Sequence, residues 1–344
     1  MIKRNLALLL ALLMLSVTAC TGVETTVPTT TKPIVTTAAT TLETTAPTTE
    51  APTTEAPTTE APTTEAPTTE APTTEAPTTL PPTTLPPATQ PPTTVPVNTD
   101  EMIGSLYTRG ELMAMENVRK DYGHGALTPG VRPNNPVNCQ SAYGQYGGNF
   151  IGPDDNRVYL TFDCGYEYTE NGKRITEMIL DVLKEKDAKA VFFVTDYYCR
   201  QSPDLIRRMI DEGHAVGNHT SNHPVMPGQS IEKMVYEVTS LHNYVLENFG
   251  YTMKLFRPPT GAYSTRSLAV LQSLGYKTVN WSFAHVDWDP ANQPAYATAL
   301  TKVVNGAHNG TIFLLHAVSL TNAQILGEAI DQIRDLGYQF ALFE

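Results

Sequence analysis

Residues 158–167 read VYLTFDCGYE. Val158, Tyr159, Leu160, Thr161 and Phe162 are β-branched, aromatic or apolar without a break, the composition of a strand buried on both faces. The run stops at Asp163, and Cys164 and Gly165 follow. A carboxylate and a thiol at the end of a buried strand need a reason. In parallel β/α folds the C-terminal strand ends share one face, and that face is where side-chain chemistry collects.

Six more runs of this kind follow, at 190–195, 215–218, 254–257, 277–281, 311–315 and 339–343. Between them lie stretches with helical spacing. ITEMILDVLKEKDA (175–188) lines up Ile175, Met178, Ile179 and Leu183 on one stripe. DLIRRMIDEGH (204–214) stops at Gly213, and SIEKMVYEVTSLHNYVLENFG (230–250) runs from a Ser N-cap to a terminal Gly. STRSLAVLQSLG (264–275) and TNAQILGEAIDQIRDLG (321–337) repeat the pattern. Strand alternating with helix predicts an α/β fold of parallel units. Seven strands favour a distorted seven-stranded (β/α) barrel, with an open doubly wound sheet as the alternative.

The polar residues then fall in one kind of place. Asp163 follows the first strand, His219 the third and His316 the sixth; Arg257 ends the fourth, and Asp287 lies just past the fifth. Each has a plainer reading alone: a capping carboxylate, a surface ion pair, a turn Asp, a satisfied core histidine. His219 and His223, four apart in NHTSNHP, would face one side of a helical turn and hold one metal ion, with Pro224 ending the turn. Two polar loop histidines are the plainer reading here.

In order along the chain stand TFDCGYE, HTSNH, RPPTG, VDW and LLH. This set resembles the five motifs of the polysaccharide deacetylases with a NodB-type domain. NWSFAHVDWDP and IFLLHAVS are similar to the branch of delta-lactam-biosynthetic peptidoglycan de-N-acetylases. The resemblance spans roughly 137–344 and implies the same distorted barrel. It implies that Asp163 is the general base of amide hydrolysis, and that residue 164, His219 and His223 bind a divalent metal, most often zinc. It gives the backbone N–H of Thr260 the oxyanion and His316 the proton for the leaving amine. Arg257 would orient Asp163, and Asp287 would hold Arg257. Trp288 and Leu314 would pack beside His316 and form the acetyl pocket. At position 164 the family usually has Asp and this branch often Asn; here it is Cys. A thiolate is an anionic zinc ligand, so Cys164 is expected to bind metal, with a small inert filler as the alternative. Cys139 and Cys199, the other two cysteines of this region, are candidates for a disulfide.

The ends of the 344-residue chain set its expected context. A net charge of −12 excludes a nucleic-acid binder that neutralises phosphates. Lys3 and Arg4 precede a short apolar run, and Val17-Thr18-Ala19-Cys20 resembles a bacterial lipobox with Cys20 as the lipidated residue. Residues 1–20 are therefore expected to be a lipoprotein-type signal peptide. Thr, Pro, Glu and Ala dominate residues 21–100, with APTTE repeating from 46 to 75. Such a segment has too little to bury and is expected to be a disordered linker, reaching roughly 250 Å at about 3.1 Å per residue if extended. Residues 101–344 hold the catalytic domain. The expected protein is a monomeric, extracytoplasmic enzyme, lipid-anchored to the cell membrane. It would reach into the wall and remove acetyl groups from the N-acetylmuramic acid or N-acetylglucosamine of peptidoglycan. Deacetylation of chitin-like oligosaccharides or O-acetyl xylan, and a non-catalytic wall-binding module, are the alternatives.

Overall fold

The computed structural model describes residues 106–344. The expected signal peptide, its Cys20 and the linker lie outside these described residues.

The opening strand forms as β2 (Arg157–Cys164), after a short β1 (Gly148–Asn149). A β3–β4 hairpin (Thr169–Glu170, Lys173–Arg174) lies outside the main sheet. The main sheet adds β5 (Ala190–Val194), β6 (Ala215–Asn218), β7 (Leu255–Phe256), β8 (Lys277–Val279), β9 (Phe283–Ala284), β10 (Ile312–His316) and β11 (Gln339–Phe340). Its order is β1-β8-β7-β6-β5-β2-β10-β9, every pairing is parallel, and β11 lies beside the start of β2.

This sheet has to curl. β8 and β9 stand six places apart in the strand order, roughly 29 Å on a flat sheet. Yet only Asn280, Trp281 and Ser282 separate them, a link of at most about 14 Å. The seven expected runs all contain strands. The last differs in role: β11 pairs only with Arg157 and Val158 of β2, whereas β1 and β9, which no long apolar run announces, join the main ladder.

Alternation along β2 then sorts its side chains into two layers. Val158, Leu160, Phe162 and Cys164 pack in the large core between sheet and helices. Tyr159 packs on the other face with Val191, Phe193, Leu255, Val279 and Ile312. Thr161 and Asp163 share that inner face by parity. The inside of the curl is thus apolar at the strand starts and polar at their C-terminal ends.

The expected helices form around the outside: α3 (Ile175–Glu185), α5 (Pro203–Asp211), α6 (Ile231–Phe249), α7 (Thr265–Ser273) and α9 (Leu320–Asp335). Ser230 caps α6 by accepting from Lys233 N, and Gly250 closes it in a left-handed conformation. Less periodic stretches supply α1 (Arg109–Ala114), α2 (Asn134–Tyr143), α4 (Asp196–Gln201) and α8 (Tyr296–Asn305). Among the described residues no helix is long and apolar enough to cross a membrane.

Candidate active site

Asp163 ends the inner face of β2, is 8% exposed, and sits in register with His316 at the end of β10. The two strands bring the expected base and the expected acid side by side.

Arg257, fully buried just after β7, holds the carboxylate. Its Nη1 donates to Asp163 Oδ1 at 2.9 Å and to Thr161 Oγ1 at 2.7 Å. Nε donates to Val279 O at 3.0 Å and Nη2 to Asn280 O at 3.1 Å. The guanidinium lies 4.3 Å from the Phe193 ring centroid. Burial pushes the Asp163 pKa up, but the charge of Arg257, with His219 and His316, outweighs it and holds the carboxyl below its ordinary range.

The histidine pair is assembled by strain rather than by a helical turn. His219 leaves β6, and Thr220 and His223 both take left-handed backbone conformations, with φ of 70° and 55°. A β-branched residue there is unusual and needs support. Asn218 Oδ1 accepts from Thr220 N at 2.9 Å, and Thr220 Oγ1 accepts from His223 N at 2.9 Å. Glu237, wholly buried on α6, accepts from Asn222 N at 2.9 Å and Asn222 Nδ2 at 3.0 Å. The expected helical turn over 219–223 is therefore corrected to a pinned loop.

His219 Nδ1 lies 2.8 Å from Arg257 O and donates to it, which turns Nε2 inward. There His223 Nε2 lies 3.2 Å away and Asp163 Oδ2 3.6 Å. Burial lowers the pKa of both imidazoles, that of His219 to about 4, so both are neutral near pH 7. Among the described residues no group of three or more His, Cys, Asp and Glu side chains is arranged to hold a metal ion. The loop does offer two neutral nitrogens at the spacing, roughly 3.3 Å, that one tetrahedral ion at about 2.0–2.1 Å imposes. The donor chemistry fits a metal at this pair, with Asp163 as the adjoining carboxylate.

Cys164 is not part of that group. Strand alternation turns it away from Asp163 into the sheet–helix core, where Sγ lies 3.9 Å from Phe162 O. Burial raises its thiol pKa well above the ordinary value, and the neighbouring Glu167, Asp163 and Cys199 add to this. The side chain lies in the layer opposite Asp163 and the histidines, so the expectation for Cys164 is corrected: it fills the core. Cys139, Cys164 and Cys199 are all free, so the expected disulfide is absent from this structure.

Asp287 also departs from its expected role. It makes no bond to Arg257; its Oδ1 accepts from His316 Nδ1 at 2.7 Å and its Oδ2 from His316 N at 2.9 Å. The reason is topological. Asp287 follows β9, which pairs with β10, so it arrives beside His316 rather than beside β7. Burial lowers the His316 pKa, but the hydrogen bond and charge of Asp287, with Asp163, win and hold it above the ordinary imidazole value.

Thr260 sits on a turn with φ of 59°, next to Gly261 with φ of 72°. A Cβ on Gly261 would come within 2.4 Å of the Trp281 ring, so the turn needs glycine both for conformation and for space. Leu314 shares the inner face of β10 with His316, and Trp288 stands 59% exposed after Asp287. Four further residues shape the site without a role assigned by the motifs. Thr161 was findable, two places before Asp163 on one face; Glu237, His285 and Asn322 reach the site only through the fold.

The chain is similar to several known proteins. Residues 151–279 match the family model described as polysaccharide deacetylase. The chain is 41% identical over 187 residues to the peptidoglycan-N-acetylmuramic acid deacetylase PdaA of Bacillus subtilis, covering 54% of this chain and 69% of that protein. The structure of Bacillus subtilis PdaA, a family 4 carbohydrate esterase, superposes with a TM-score of 0.61 at 35% identity, covering 66% of this chain and 96% of that one. A family 4 carbohydrate esterase from Bacillus anthracis superposes with a TM-score of 0.54 at 37% identity, covering 67% and 96%. With a buried carboxylate and an imidazole in register at the strand ends, and with relatives of this similarity, the chain belongs to the polysaccharide deacetylase family.

Proposed function

We propose that this protein removes N-acetyl groups from the amino sugars of peptidoglycan glycan strands and releases acetate. The observation that carries the reading is the pairing of Asp163, held by Arg257, with His316, held by Asp287, on adjacent strand ends. Asp163 Oδ2 takes a proton from the attacking water, whose oxygen bonds to the acetyl carbon. The carbon–nitrogen bond then breaks, and His316 Nε2 gives its proton to the departing amine. The turn at Thr260 offers its backbone N–H to the oxyanion, and Leu314 with Trp288 bounds the acetyl group. A divalent metal on His219 and His223, zinc by donor type, supplies carbonyl polarisation and a more acidic water when bound.

The wider reading rests on the relatives and on the sequence. The curled parallel sheet, with nine strands where seven were expected, supports reading this domain as a distorted (β/α) barrel. The activity named for the 41% identical relative supports peptidoglycan as substrate. The lipobox-like end at Cys20 and the Thr/Pro-rich stretch of 21–100 support an enzyme anchored to the outer face of the cell membrane and acting within the wall. The test is incubation of the purified protein with peptidoglycan, with acetate measured and muropeptides weighed. Loss of acetyl mass from muramic acid or glucosamine, abolished by a chelator and restored by zinc, is expected. Muropeptides that keep every acetyl group at high enzyme load would end this reading.

A further inference from the structure

Behind the His316–Asp287 pair lies a buried polar layer that the reaction scheme above does not use. Asp287 is fully buried in the loop after β9, and its Oδ2 faces away from the imidazole. Asn322, in the first turn of α9 and 1% exposed, donates Nδ2 to this oxygen at 2.6 Å and to His316 O at 3.3 Å. The backbone N of Asn322 is itself held by the α9 cap, donating to Ser319 Oγ at 3.1 Å. On its other side, Asn322 Oδ1 lies 3.1 Å from His285 Nε2. That nitrogen also lies 3.5 Å from Asp287 Oδ2. Facing only acceptors, it carries the proton and donates.

The donor from His285 fixes which end of the Asn322 amide is oxygen, and the other end must then present N–H groups to Asp287. With Oδ2 occupied by Asn322 and by His316 N, the carboxylate can turn only Oδ1 to the imidazole. That locks the proton of His316 on Nδ1 when neutral and leaves Nε2 to carry the transferred proton.

We propose that Asn322 and His285 are positioning residues for the proton donor: they hold Asp287 in the one orientation that keeps the His316 imidazole aligned and proton-loaded. This rests on the reading of His316 as the acid. The groups facing His316 are Asp287, Asp163, Arg257, His223 and His285, and of these Asp287 makes the direct ring contact. Releasing Asp287 lowers the His316 pKa. Activity that requires the protonated imidazole then fails at lower pH.

The experiment is a pH titration of the His316 ring by NMR, free of substrate, together with kcat and KM across pH. Asn322→Ala is expected to lower the His316 pKa and the alkaline limb of kcat by roughly one unit. It should reduce kcat about tenfold with KM changed less than about twofold. His285→Leu should shift the titration the same way, and His285→Gln, which keeps a donor for Asn322, should restore the wild-type curve. The His285 pair decides the matter if Asn322→Ala does not fold. A His316 titration unchanged in His285→Leu, or shifted equally in Leu and Gln variants, overturns the proposal. Because the titration needs no glycan, it stands apart from any failure of the deacetylase reading.

Discussion

Asp163 and His316 carry opposite pKa shifts from one physical cause, the partner each one faces. Arg257 outweighs burial at Asp163, so this carboxylate is ionised down to pH values below the usual carboxylate range. Asp287 outweighs burial at His316, so this imidazole stays protonated above the ordinary value. Activity should therefore fall on the alkaline side as His316 loses its proton, and on the acid side only well below neutrality. Stability follows the same sign. The His316–Asp287 contribution is fully present below the unfolded imidazole pKa of about 6.5 and disappears as pH rises through the raised folded value. A pH–rate profile and a pH series of thermal melts test both. Asp163→Asn and His316→Ala should each cut acetate release by roughly 10²–10⁴-fold in folded protein. Near-normal turnover in either removes that residue from the mechanism. Cys164 stands in contrast. As a core residue, its change to Ala should lower stability by about 1 kcal/mol and leave zinc content untouched. Loss of bound zinc on that substitution would reinstate Cys164 as a ligand.

The segment between β6 and α6 shows how an element, rather than a residue, makes a site. His219 and His223 converge because Thr220 and His223 hold positive φ, and the conformation survives because Asn218, Thr220 and Glu237 accept its N–H groups. Glu237 also pairs with Lys233 at 2.7 Å one turn before it on α6, so loop and helix are tied together. Glu237→Ala should cost about 2–4 kcal/mol and weaken zinc binding although the side chain touches neither histidine. Equal zinc affinity in calorimetric titrations of wild type and variant would count against this coupling. The HTSNH spelling was legible as a two-histidine motif; its backbone path was not. Helical spacing is one way to bring residues four apart together, and a loop with two left-handed residues is another that local sequence does not announce.

For the chain as a whole, the described domain places its polar site residues at one end of a curled parallel sheet, and the proposed anchoring rests on the lipobox-like sequence at Cys20. The lipobox reading predicts that Cys20→Ala releases the protein from membranes or leaves it unprocessed, while acetate release by the domain is unchanged. Fractionation with membranes and normal processing of that variant would defeat the reading. The curl follows from the short link between β8 and β9, and it sets the partners of Arg257. Its guanidinium reaches Thr161 and Asp163 on β2 and the carbonyls of Val279 and Asn280 at once. On a flat sheet those groups would lie on strands too far apart to share one side chain.

Strand and helix order and the placement of Asp163, His219, Arg257 and His316 at strand ends were all present in the linear pattern. Apolar periodicity and capping residues act over a few positions, and a parallel fold turns their order directly into a shared face. The partner of Asp287, the direction of Cys164 and the contributions of Glu237, His285 and Asn322 were not. Asp287 meets His316 because β9 pairs with β10, and Asn322 meets Asp287 because α9 begins beside them. Cys164 follows Asp163 in the chain but lies in another layer because β2 runs on past the apolar run, held to residue 164 by its pairing with Val194 of β5. Contacts of this kind depend on which strands and helices become neighbours, and that is fixed by packing across the whole sheet.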